Sequence, residues 1–240
     1  MPRDRKGLVR KSGGQSKDPY IIFVIATEGS DTEPGYFRHV EARLRRMNLD
    51  RLVKIETLKR SPSVDKSGHT RKDTRSSVDA VINLLDDYRK QYNIHESDEL
   101  WCLIDRDHWI SRNIAAASKS CRQKHYEFCM TTPCFEFWLL LHFADLDQFT
   151  KDDSTSILVN RRNNAGNRTR TEYLLNELMK ANGLGAYKKS GLPDISENIE
   201  RAVKQAFMHD LDSGHWQENR FCTRLHVLLQ RIFKFDIDSV

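Results

Sequence analysis

Apolar and polar positions follow two alternating rhythms over the first 145 residues. Tyr20-Ile-Ile-Phe-Val-Ile-Ala26 is a continuous apolar run rich in β-branched residues, which predicts a buried strand. The polar loop Thr27 to Thr32 follows, and Pro34 suits the first turn of a helix. Phe37, Val40, Ala42 and Leu44 give that helix its apolar side. Leu52 to Leu58 alternates and predicts a second strand, whereas residues 59–76 are a polar, basic loop. From Ser77 to Tyr92, apolar side chains return at helical spacing through Val78, Val81, Leu84, Leu85 and Tyr88. Leu100 to Ile104 predicts a third strand, residues 110–122 a polar helix, and Tyr126 to Met130 a fourth strand that Thr131-Thr132-Pro133 ends. A strongly apolar helix starts at Cys134 and reaches Phe143.

Strand and helix thus alternate four times, with connections long enough for crossover helices. That grammar predicts an α/β fold: an open, mostly parallel sheet flanked by helices on both faces. After residue 145 the rhythm changes, and residues 171–182, 194–209 and 220–233 each repeat with helical period. A basic loop, Arg161 to Arg170, leads into them. Three parts are expected: a flexible basic arm over 1–18, an α/β domain over 19–145, and a helical extension over 146–240 packed on it.

Composition narrows the class of function. With 240 residues, 38% hydrophobic and 30% charged, the chain suits one core of ordinary size. A net charge of +5 permits a polyanionic partner without demanding one. No apolar run approaches the ~20 residues that span a membrane, and the first residues lack the apolar segment of a secretory signal. The five cysteines form no CxxC pair, so neither a zinc ribbon nor a dithiol redox site is predicted. Free thiols in a reducing cytoplasm are expected, with Cys102 and Cys129 in the core. No GxxxxGK[ST] is present, so the chain is not itself expected to be a P-loop ATPase.

The chemistry-bearing residues sit where strands are predicted to end. Open α/β sheets bind ligands beyond the carboxyl ends of their strands. Glu28 follows the first strand, and Asp105 and Asp107 follow the third. Residues two apart in an extended segment lie about 6.6 Å apart on one side, a spacing at which two carboxylates can share a hydrated cation. Oxygen-only donors suit Mg²⁺ or Mn²⁺ rather than Zn²⁺. An Asp-x-Asp alone is also an ordinary turn with a helix cap. Glu136 lies in an apolar stretch, where an unpartnered carboxylate is costly, so it must pair with a cation or face the metal cleft. The cleft is preferred, because Pro133 puts Glu136 beside the strand ends. His142 is expected to be a hydrogen-bonded core histidine, and Tyr36 and Tyr126 packing residues, so hydrolysis is preferred over a covalent tyrosine intermediate.

Glu28-Gly29 after strand one and Asp105-Arg-Asp107 after strand three resemble the TOPRIM pattern of topoisomerases, primases and overcoming-lysogenization-defect nucleases. More specifically, TEGSDTEPGYF (27–37), LIDRDHW (103–109), TTPCFEFWLLLHF (131–143) and NRFCTRLHVLL (219–229) resemble the RloB-like family. The resemblance runs from about residue 20 to 232, and the PCFEFWLLLHF block is its most specific part. It implies a TOPRIM-like fold, a place in prokaryotic phage defence, and often an AAA-type ATPase partner.

Carried over residue by residue, the resemblance makes Asp105 and Asp107 the metal-holding pair and Glu28 the general acid/base that can also contact metal. Glu33 matches a second family glutamate, which either assists a second metal or favours its helix N-terminus through the dipole; the dipole reading is preferred. The 59–75 loop, Arg161, Arg162, Arg168, Arg170 and Tyr187-Lys188-Lys189 are candidates for phosphate contacts, and the family resemblance at this last element makes Lys188 the preferred one. The expected function is metal-dependent hydrolysis of DNA or RNA. The competing reading is a non-catalytic sensor or adaptor that binds metal or nucleotide and the ATPase.

Overall fold

The structure, a computed structural model, describes residues 21–59, 63–64, 70–71, 78–106, 109–162, 168–212 and 220–234. The predicted basic arm, the greater part of loop 59–76, and Asp107 lie outside the described residues. Four strands form one sheet: β1 (Ile21–Thr27), β2 (Val53–Leu58), β5 (Glu99–Asp105) and β6 (Glu127–Thr131). Their order is β2-β1-β5-β6, and every pairing is parallel. This is an open, all-parallel α/β sheet, consistent with a TOPRIM-like fold. Two two-residue strands, β3 (Ser63–Val64) and β4 (Thr70–Arg71), pair antiparallel within the basic loop.

The strands β1 and β5 read as near-continuous apolar runs because both their faces are covered, whereas the edge strand β2 alternates. On one face Val24, Ala26, Leu100, Cys102, Ile104 and Met130 meet α2 (Val78–Gln91) and α3 (Ser111–Lys124). On the other, Phe23, Ile25, Trp101, Leu103 and Cys129 meet α1 (Thr32–Arg46) and α4 (Phe135–Leu140). Every residue of α4 is buried, as a helix without a polar face must be.

The same core continues into the C-terminal helices. Leu175 and Met179 of α6 (Arg170–Ala181), Ile199 and Val203 of α7 (Ile199–Met208), and Leu225 and Leu228 of α8 (Leu225–Phe233) belong to the cluster that contains Phe23 and Trp101. Charged clamps fix the register. Arg43 of α1 reaches Ser196 O and Glu200, and Arg46 reaches Glu197 at 2.8 Å. Arg231 of α8 holds Glu99 (2.9 Å) and Glu127 (3.0 Å) while lying 5.5 Å over the Trp101 ring. Among the described residues, no helix is long and apolar enough to cross a membrane.

One helix is additional to those predicted, and two predicted helices are shorter than expected. α5 (Lys151–Val159) was not expected, because only Ile157 of it is buried and it carries no apolar stripe; a Thr150–Asp153 capping box starts it. The helix predicted over 134–143 stops at Leu140. The helix predicted over 220–233 begins only at Leu225. Its apolar lead is used otherwise: Phe221 stacks on Phe137 at 4.3 Å, and Cys222 bridges Thr132 beyond the end of β6.

Because α8 completes the core under the sheet, Leu228→Ala should cost about 2–5 kcal/mol. Unfolding should remain one transition by both circular dichroism and tryptophan fluorescence. A separate early loss of helix, with the tryptophan signal intact, would show that the C-terminal helices fold independently.

Candidate functional site

Parallel pairing brings the carboxyl ends of β1, β5 and β6 to the same side of the sheet. The register sets Thr27 opposite Leu103 and Asp105 opposite Thr131. Glu28, one residue past β1, therefore stands beside Asp105. The Glu28 amide continues the ladder to Leu103 O (3.2 Å). Its side chain is held by one oxygen: Oε2 accepts from Trp109 Nε1 (3.2 Å) and from the Asp105 amide (3.4 Å).

Two helix starts deliver further carboxylates. Glu33, in the first turn of α1, is only 7% exposed. Its Oε1 accepts from the Gly29 amide at 3.1 Å. A Cβ on residue 29 would lie 2.2 Å from Glu33 Oε2, so the glycine is what lets this carboxylate lie against the loop. Glu136, in the first turn of α4, is 5% exposed. Its Oε1 accepts from Tyr187 Oη at 2.8 Å and lies 3.4 Å from Lys189 Nζ. Lys189 also holds Glu172 Oε1 at 2.8 Å, while Glu172 Oε2 caps α6 through the Thr169 amide (2.9 Å).

These residues line one cleft of about 650 Å³. Among the described residues its wall carries six carboxylates (Glu28, Asp31, Glu33, Asp105, Glu136 and Glu172) against three cationic side chains, Arg106, Arg162 and Lys189. The imbalance appears in the protonation of Glu33. Burial, together with repulsion from Glu136 and Glu28, pushes its pKa up to about 7, although amide hydrogen bonds oppose the rise. Burial alone would lower Lys189, but Glu136 and Glu172 outweigh it and hold the ammonium above the usual lysine range.

The donors fit a hard divalent cation. Carboxylate oxygens dominate the lining, and the buried Thr132 hydroxyl, also on the cleft wall, has no hydrogen-bond partner among the described residues. Glu28, Asp105, Glu33 and Glu136 are the residues that would hold such an ion. They are not drawn tightly together: the described trio with donor atoms within 4.8 Å of one another is instead Asp145, Asp147 and His209. That trio is a surface ion pair in character, with Asp147 70% exposed and 3.7 Å from His209 Nε2. The cleft is favoured because three of its carboxylates, Glu33, Glu136 and Glu172, are buried, and its described carboxylates outnumber its described cations.

The structure sorts the remaining expectations. Glu136 both lines the cleft and pairs with a cation, so the two roles weighed for it coexist. Lys188 is exposed and caps a short 3₁₀ turn; its neighbour Lys189 reaches the cleft instead. Arg161, Arg162 and Arg170 surround a shallow depression next to the cleft. Arg168 is engaged with Tyr187 O (3.0 Å), and Arg170 with Asp153 (3.4 Å). His142 is a core residue bonded to Tyr36 Oη (3.2 Å) and Trp138 O (3.1 Å), and burial lowers its pKa to about 3. Tyr126 gives its hydroxyl to Asp86 (2.9 Å), away from the cleft. Of the residues around the cleft, Tyr187 and Lys189 were expected only as parts of a basic phosphate-contact element in which Lys188 was preferred, and Glu172 and Thr132 carried no expectation. The Thr169-x-x-Glu172 capping-box spacing was the one available signal, and it marks only a helix start.

With this geometry established, comparison with known proteins gives a family. The sequence model of the RloB-like protein family matches residues 23–232. The chain belongs to the RloB-like family. No curated protein and no solved structure matches it.

Two predictions test the crowding of charge. Glu33 binds its proton more tightly folded than unfolded, so its contribution is complete below about pH 4.5 and is lost as pH rises through about 7. Without divalent metal, the melting temperature should fall between pH 5 and 8, and Glu33→Gln should remove part of that fall. At pH 8 the variant should gain on the order of 1–3 kcal/mol over wild type. An unchanged pH profile would mean that Glu33 ionises freely. Gly29→Ala should fold but displace the Glu33 carboxylate, visible as loss of the same pH dependence; a profile like wild type would mean the loop tolerates a side chain there.

Proposed function

We propose that the protein is a divalent-metal-dependent nuclease that hydrolyses phosphodiester bonds of DNA or RNA. The observation that carries this reading is the cleft at the carboxyl ends of β1 and β5, in which six carboxylates face three cations. Such a cleft repels a phosphodiester unless a cation lies between them. Magnesium or manganese, when bound, would stabilise charge on the phosphoryl oxygens and lower the pKa of a coordinated water.

The chain's own residues have separate tasks. Asp105, with Asp107 two residues on, offers anionic oxygens, and Glu33 and Glu136 extend the acidic surface deeper into the cleft. Trp109 and the Asp105 amide orient Glu28 through Oε2, and Oε1 has no hydrogen bond among the described residues. Glu28 is thereby placed to take a proton from, or return one to, the attacking or leaving oxygen. The buried, hydrogen-bonded Tyr36 and the distant Tyr126 favour hydrolysis over a tyrosine-linked intermediate. Arg161 and Arg162, both exposed at the rim, suit phosphates on either side of the scissile bond.

The family setting extends the proposal to prokaryotic anti-phage defence in the cytoplasm, with an AAA-type ATPase as partner. The five cysteines, all free, accord with a reducing compartment.

The test is incubation of the purified protein, with and without that ATPase, with DNA and RNA in Mg²⁺, Mn²⁺ or EDTA. Cleavage should require the metal. Asp105→Asn should abolish both metal binding and cleavage, whereas Glu28→Gln should lose about 10²–10⁴-fold in turnover with nucleic-acid binding retained. Metal binding and nucleic-acid binding without cleavage in any combination would instead identify a non-catalytic adaptor.

A further inference from the structure

Lys189 is the one cation found in contact with the buried carboxylates of the cleft among the described ion pairs, and it is held unlike a structural lysine. Its ammonium lies 2.8 Å from Glu172 and 3.4 Å from Glu136, yet its side chain is 59% exposed. The carboxylates are buried, at 7% and 8% side-chain exposure, whereas the lysine that neutralises them reaches in from the solvent side. The surrounding backbone is secured by other means. The Tyr187 amide donates to Asn176 Oδ1 (3.1 Å), Arg168 donates to Tyr187 O (3.0 Å), and His39 meets Leu192 O (2.8 Å). The segment is fixed by these bonds, while the lysine side chain is 59% exposed and, among the described contacts, is held through its ammonium.

The partners of that ammonium are unequal. Glu172 is nearer and also serves as a helix cap, so its position is set from both sides. Glu136 is farther, and it is the carboxylate that repels Glu33 across the cleft. Tyr187 supplies Glu136 with a hydrogen bond of its own at 2.8 Å, so Glu136 stays anchored without the lysine.

Resting on the metal-cleft reading above, we infer that Lys189 neutralises Glu136 in place of a divalent cation, yields that carboxylate when the cation binds, and then contacts a phosphate oxygen of the substrate. Two cations cannot share one carboxylate without repelling each other, and the lysine is the mobile one. A lysine suits the exchange better than an arginine: it is a compact charge on a flexible stem with three rotatable donors. Released from Glu136 and still tethered near Glu172, the ammonium remains in the cleft that a phosphodiester must enter. Lys189 is thus a substrate-positioning residue, and it makes metal uptake and phosphate binding mutually reinforcing.

The experiment is Mn²⁺ calorimetry on the full chain, followed by salt titration of binding to single-stranded phosphorothioate oligodeoxythymidine in saturating Mn²⁺. Lys189→Met should bind Mn²⁺ about tenfold more tightly than wild type, because a competing unit charge is gone. Its log K against log salt should be shallower by about 0.7, the contribution of one lost phosphate contact to a single strand. Lys189→Arg, which keeps the charge, should stay near wild type in both. Lys189→Gln, which retains a donor for both carboxylates, repeats the Met result in a variant with the polar contacts preserved. If Lys189→Met and Lys189→Gln bind Mn²⁺ no better than wild type, or leave the salt slope unchanged, the inference is overturned and the lysine is an ordinary ion pair. If wild type itself takes up no Mn²⁺, the metal-cleft reading falls first, and the inference with it.

Discussion

Carboxylates gathered on one cleft wall, three of them buried, are the constraint on which the rest of the cleft depends. In an all-parallel sheet, neighbouring strands must end on the same side, and here β1 and β5 each end in a carboxylate. The first turns of α1 and α4 add two more, Glu33 and Glu136, both buried. Each compensation can be traced to this crowding. Gly29 leaves room for Glu33, a raised pKa lets Glu33 keep its proton, and Tyr187 and Lys189 share Glu136. A divalent cation would relieve all of these at once, which is the physical basis for reading the cleft as a metal site.

The site cannot be separated from the C-terminal helices. Glu28 and Asp105 come from the sheet, but Glu172, Tyr187 and Lys189 come from residues beyond 168. Those residues are positioned by α6 and by the apolar cluster it shares with β1 and α4. The buried α4 is the joint between the two regions: its outer surface packs under the C-terminal helices while its first turn presents Glu136 to the cleft. Core packing and the cleft therefore converge on the PCFEFWLLLHF block, whose apolar residues are core and whose single carboxylate lines the cleft.

What the sequence made legible follows from how strongly each signal depends on burial. The strands β1 and β5 were readable because two covered faces demand unbroken apolar runs such as residues 21–26 and 100–104, and the edge strand β2 because its buried positions alternate. That Glu28 and Asp105 would lie together was readable because both follow predicted strands whose parallel pairing brings their ends to one side. α5 was not, since a helix with one buried residue leaves almost no periodic trace. The start of α8 was misplaced because Phe221 and Cys222 are apolar for a different reason: one stacks on Phe137 and the other bridges the end of β6. Lys188 and Lys189 are neighbours of identical type, and only the turn at Lys189–Gly191 decides which of them meets Glu136. Pairings across 51 residues, such as Tyr187 with Glu136, leave no local mark at all.

The most direct test of the acidic cleft as a metal site is an anomalous difference map from crystals of the protein grown in Mn²⁺. The expected result is a peak among Glu28, Asp105 and Glu33, lost in Asp105→Asn crystals. A map with no peak in the cleft, or with its only peak at Asp145, Asp147 and His209, would contradict a metal-binding cleft and with it the proposed hydrolytic role.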